Sequence, residues 1–136
     1  MMKHSTDTLW AGFIGTSTST IAYLLGGIDH LLTAFIILMA CDYLSGIAAG
    51  MYDKKVSSKS AFRGLVKKGV MFILVIVANQ VDIVTGSGDF ARNAVIMFLI
   101  GMEGISIIEN MGRMGIKVPA FVTKTFEQLK DKGEKK

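Results

Sequence analysis

Three stretches of 21 residues each, 31–51, 66–86 and 91–111, are dominated by apolar side chains. As α-helices each would be about 31 Å long, which matches the hydrocarbon thickness of a bilayer. Helices buried in small soluble domains are usually shorter, and a chain of 136 residues cannot cover three such helices with polar surface. Charged residues make up 19% of the chain, below the quarter or so usual for a soluble domain, which again points to lipid as the solvent. Period-two alternation over ten-residue strands is absent, so a transmembrane barrel is excluded. The expected fold is an all-α membrane protein. We expect a small bundle of helical hairpins, homo-oligomeric, with three or four transmembrane helices, four being favoured.

Whether the count is three or four turns on residues 9–26. Trp10, Phe13, Ile14, Ile21, Leu24, Leu25 and Ile28 recur at helical spacing and leave the run from Thr16 to Thr20 largely on the opposite face. Such a helix spans with its hydroxyl face against other helices, or lies in the interface. Spanning is favoured, because Ser and Thr hydroxyls bond back to their own helix and cost little in lipid. The segment lacks a compact apolar core followed by a small-x-small site, so it is expected to be retained, not cleaved as a signal peptide. The chain thus reads as a single membrane domain over 1–136, with helical segments at 9–26, 31–51, 58–86 and 91–111.

Charge sets the topology. The connection 52–68 carries Lys54, Lys55, Lys59, Arg63, Lys67 and Lys68 against Asp53 alone, and the tail 112–136 carries seven basic residues. The connections 27–30 and 87–90 have no Lys or Arg. By the positive-inside rule the basic loop and the C-terminus are cytoplasmic, in a multi-pass membrane protein. The loop lysines are placed to meet anionic lipid, and Ser57, Ser58 and Ser60 offer N-cap hydroxyls for the helix that follows. In the tail, Pro119 suits a first helical turn. Val122, Phe126 and Leu129 form a stripe that predicts a short amphipathic helix at 119–131, interfacial or self-packing. The final KDKGEKK reads as solvated and disordered.

Polar residues interrupt the apolar spans at similar depth. Asp42 is the twelfth residue from Leu31, Glu103 the thirteenth from Ala91, and Asn79 lies a little past the middle of its span. With no Lys or Arg expected at that depth, each carboxyl should be protonated or should face protein or water. Asp42, Ser45, Gly46 and Gly50 share one helix face, and Gly46-x-x-x-Gly50 permits close backbone approach. Glu103, Ser106 and Asn110 share another, with Glu109 nearby. These residues are the candidate oligomer or lumen contacts. Asp82 and Arg92, near the outer ends of one hairpin, are candidates for an interfacial ion pair.

Enzymatic chemistry is not expected. Cys41 is the sole cysteine, and His4 and His30 are isolated, so no catalytic, cofactor-binding or metal-ligating set is identified. Phosphate-binding loops and nucleophile–base sets are likewise missing, and the basic tail lacks the interleaved aromatics of a nucleic-acid module.

Two motifs carry a family resemblance. CDYLSGIAAGMYDKKVSSKSAFRGLVKKG is followed, after an apolar span, by MEGISIIENMGRMGIKVP. The pattern resembles the toxin secretion/phage lysis holins over about residues 26–122. It matches at Asp42, Tyr43, Gly46, Ser58, Gly64, Lys68, Glu103, Ser106, Ile107, Glu109, Asn110, Gly115 and Pro119. One departure is Ala61-Phe62, where a glycine-containing pair is common. The resemblance implies a phage-encoded or prophage-derived protein of the bacterial inner membrane that accumulates as oligomers and then opens timed lesions, letting an endolysin or a toxin reach the wall. Its implied partners are itself, membrane lipid and the endolysin or toxin, with an antiholin as a further partner and no nucleic acid. A small proton-coupled exporter and an antiholin-like regulator are the alternative readings.

Overall fold

A computed structural model describes residues 2–135. Its five helices are α1 (Met2–Leu24), α2 (His30–Tyr52), α3 (Ser58–Thr85), α4 (Phe90–Arg113) and α5 (Ala120–Glu134). The chain is all-helical among the described residues. By length and apolar composition α2 and α4 are able to cross a membrane.

The helix boundaries follow local chemistry. Asp29 caps α2 by accepting from the Leu32 amide, and Ser57 caps α3 by accepting from the Ser60 amide. Gly86, at φ 68°, ends α3 in the left-handed conformation that a residue without Cβ adopts without strain. Pro119 sits just before the first turn of α5, whose first helical residue is Ala120.

Helix α4 is the hub of the bundle and touches α2, α3 and α5. Leu25, Leu32, Phe35, Met39, Met71, Val75, Ile96, Leu99 and Ile100 form the apolar core. Phe35 and Phe72 meet edge-on across the α2–α3 seam, with centroids 5.8 Å apart. Asp29 meets Arg92 and Asp53 meets Arg113, so α2 and α4 run parallel. Lys68 lies beside Asp42 and Glu103 while Asn79 reaches Leu24, so α3 runs antiparallel to both.

Helix α1 buries none of its residues against the rest of the chain, and Leu9, Trp10, Phe13 and Ile14 are exposed. It begins at Met2, well before the expected start at residue 9, and stops at Leu24. Thr16, Thr18 and Thr20 donate to the carbonyls four residues earlier, so the hydroxyl run is satisfied within its own helix.

The tail departs from expectation. The helix continues to Glu134, through residues read as disordered (Lys136 lies outside the described residues), and folds back along α4. A Cβ on Gly101 would stand 2.6 Å from the Lys130 backbone nitrogen, and one on Gly104 would collide with the Phe126 ring. Gly133 lies against the Ala94 carbonyl and Phe98 in the same way. Three glycines therefore remove the side chains that would hold α4 and α5 apart, and this contact carries the helix past residue 131. Gly104→Leu is expected to displace α5 at a cost of about 1–3 kcal/mol, the usual penalty for overpacking. Limited trypsin digestion checks it: cleavage after Lys124 and Lys130 should accelerate while the α2–α4 bundle persists.

Candidate functional site: a lysine between two carboxylates

Halfway along the bundle, three helices each contribute one ionisable group. The Lys68 ammonium of α3 donates to Asp42 Oδ2 of α2 at 2.7 Å and to Glu103 Oε2 of α4 at 2.5 Å. The side chains of Lys68 and Asp42 are 13% and 15% exposed, and that of Glu103 only 3%. This overturns the expectation that no cation reaches the depth of the two acids. Helix α3 begins at Ser58, so Lys68 is already three turns inside it, and its long stem carries the charge to its partners. With both carboxylates ionised the trio has one excess negative charge.

Asn110 extends the network. Its Nδ2 donates to Asp42 Oδ1 at 3.2 Å and to Ser45 Oγ at 2.9 Å, and Ser45 Oγ donates back to the Asp42 carbonyl. Gly46 faces this amide, and a Cβ there would lie 3.6 Å from Asn110 Nδ2, an ordinary van der Waals contact. Among the described residues, no buried side-chain polar atom lacks a hydrogen-bond partner. The structure thus gathers Asp42, Ser45, Gly46, Glu103 and Asn110, with Lys68 joining them from the basic loop.

Other candidates stand elsewhere. Gly50 packs against Val56 in the α2–α3 turn, and Ser106 lines a cavity below the trio. Glu109 is exposed and takes no part in the network. Asn79 does not share the depth of the two acids. It is buried near the opposite end of the bundle, where its amide donates to the Leu24 carbonyl. Of the basic loop, Lys54, Lys55, Lys59, Arg63 and Lys67 are exposed.

A second polar centre surrounds Asn79. Arg92, completely buried, donates from Nε to the Leu25 carbonyl at 2.6 Å, and from its terminal nitrogens to the Gly27 carbonyl, Asn93 and Asp29. The expected Asp82–Arg92 side-chain pair does not form. Asp82 instead accepts from the Ala91 and Arg92 amides and the Ser87 hydroxyl, holding the α4 N-terminus, while the guanidinium turns to Asp29. The hydrogen bond from Arg92 holds the Asp29 carboxyl below its usual range against a smaller opposing effect of burial. Gly26, at φ 80°, is required here because a Cβ would fall within 2.6–2.8 Å of Asn79 and Arg92.

A sequence signal for Lys68 exists. It shares a three-and-four spacing with Met71, Val75, Asn79 and Asp82, all buried on the inner face of α3. Among the described residues no group of three His, Cys, Asp or Glu is placed to hold a metal.

Comparison with known proteins places this geometry in context. A family model described as the bacteriophage holin family matches residues 19–131. A probable holin of Bacillus phage phi105 is 30% identical over 128 residues, covering 94% of this chain and 93% of its own. An uncharacterized protein of Listeria innocua is 42% identical over 101 residues, covering 74% and 72% respectively. An uncharacterized protein of Clostridium perfringens is 31% identical over 121 residues, covering 88% and 87%. No solved structure matches the chain.

Proposed function

The chain belongs to the bacteriophage holin family, and on that premise we propose that it oligomerises in the bacterial inner membrane and opens timed lesions. Through these an endolysin, or a toxin, crosses and the host lyses. The Asp42–Lys68–Glu103 trio is the observation that carries this reading. Charged groups at membrane depth are costly unless they face each other or water. In the single chain they face each other, which suits a dormant state in which the remaining surface of α2 and α4 meets lipid. Rotating α2, α3 and α4 apart exchanges those ion pairs for water, so the same residues line an open lesion. The basic loop stays at the cytoplasmic end throughout, with α2, α3 and α4 spanning and α1 as the favoured fourth span.

Membrane potential is the proposed trigger. Moving one charge through 100 mV changes the energy by about 2.3 kcal/mol, comparable to one or two interhelical hydrogen bonds. A trio with excess negative charge is positioned to feel such a change.

The test is the time of lysis after induction for Asp42→Asn and Glu103→Gln, each of which alters the charge balance on Lys68. Both are expected to shift it by minutes or abolish lysis; unchanged timing in both sinks the reading. An exporter fits less well, because Lys68 engages both Asp42 and Glu103, and Asn110 also holds Asp42, so neither of these two acids is free to relay protons. Co-expression with a lytic holin separates a regulator from a holin: a regulator delays lysis and causes none alone.

A further inference from the structure

Below the Asp42–Lys68 pair, a cavity of about 290 Å³ opens between the end of α2, the 53–57 turn, the start of α3 and the end of α4. Its wall includes Lys55, Lys67 and Arg113, together with the hydroxyl-bearing Ser57, Ser60 and Ser106. The nearby anions are already engaged. Asp42 also lines the cavity but is held by Lys68 and Asn110, Glu103 is held by Lys68, and Asp53 by Arg113. Lys55 and Lys67 form no ion pair among the described residues. The cavity therefore presents two cations without a direct ion-pair partner beside hydroxyl groups, all lining one concave volume.

We infer that this cavity binds a phosphate group, contributed by an anionic lipid headgroup or by a free phosphate ester. A phosphate offers several acceptor oxygens to cations and hydroxyls that converge from different elements, which a single carboxylate matches less well. The size of the cavity admits a phosphate with part of its ester. Asp42 and Lys68 both line the cavity, so an occupant there stands beside the trio. The site exists whether or not the chain opens lesions, so its test is independent of lysis.

The experiment uses the full chain in neutral detergent micelles. Thermal unfolding is followed while titrating phosphatidylglycerol, diacylglycerol as the phosphate-free lipid control, and inorganic phosphate against chloride at equal ionic strength. Phosphatidylglycerol or phosphate should raise the unfolding temperature in a saturable way, and diacylglycerol should not. Lys55→Gln with Lys67→Gln should weaken the apparent affinity about tenfold, the loss expected for two charge-assisted contacts. Arg63→Gln, an exposed cation of the same loop outside the cavity, should leave it unchanged. A response to phosphatidylglycerol alone assigns the phosphate to lipid; a response to inorganic phosphate as well assigns it to the free anion. The inference is overturned if neither ligand shifts the transition, or if the Arg63 variant loses affinity as much as the double variant.

Discussion

Replacing Lys68 by methionine is expected to destabilise the folded bundle by about 3–5 kcal/mol, the usual cost of stranding a buried charge. The substitution keeps the apolar stem but leaves Asp42 and Glu103 facing each other without the ammonium that separates them. The cost therefore comes from electrostatics and not from a cavity. A triple variant, Lys68→Met with Asp42→Asn and Glu103→Gln, removes all three charges and should recover most of the loss, because neutral isosteres need no counter-ion. Unfolding by denaturant in micelles measures both. If Lys68→Met costs less than about 0.5 kcal/mol, within the range of ordinary surface changes, the trio does not hold the three helices together. A triple variant no more stable than the single one would instead assign the loss to packing around the lysine stem.

The other large effect is expected at the opposite end of the bundle. Arg92→Ala strips partners from the Leu25 and Gly27 carbonyls and from Asp29 in one step, and opens space where a fully buried side chain stood. A loss of about 3–5 kcal/mol is expected. Arg92→Lys keeps the charge but replaces a planar fork of donors with a point ammonium, and should recover less than half of it. The pH dependence carries the signature of the pair. Because Arg92 holds the Asp29 carboxyl below its usual range, the pair adds stability above about pH 4 that fades as pH falls through the folded-state value. Unfolding scans from pH 6 down to pH 2 should show that decline in the wild type. Asp29→Asn should flatten its share of the decline, and Arg92→Ala should do the same. Since Asp29 is half exposed, this share is small beside the loss from the buried guanidinium.

The sequence was informative wherever the physics is local. Apolar runs long enough to cross a bilayer are a property of consecutive residues, and α2 and α4 fall on two of them. The Ser57 cap is legible for the same reason, since a hydroxyl three residues before the amide it serves needs no distant partner. The threonine back-bonding in α1 is equally local. Asp42 and Glu103 were visible as polar groups in apolar runs, and Asn110 and Ser45 as members of the same helix faces as those acids.

What distance along the chain could not supply was register. Counting depth from the end of each span grouped Asn79 with Asp42 and Glu103, and set Lys68 aside as a loop residue. The register of α3 along α2 and α4 reverses both assignments, carrying Lys68 to the acids and Asn79 to the far end of the bundle. The partner of Arg92 was missed for a related reason: Asp82 is nearer in sequence, but its oxygens are taken by backbone amides at the α4 start. Helix α5 was legible as amphipathic, while its length was not, because Gly133 is a helix breaker in isolation and a contact point against α4.

Helix existence, apolar length and the acids at depth are thus set by the sequence itself, through periodicity and capping that act within a few residues. Which charge meets which acid was decided only by tertiary packing. A lysine three turns into a helix is loop-like or central according to how that helix slides along its neighbours, and the sliding is fixed by side-chain fit across three helices at once.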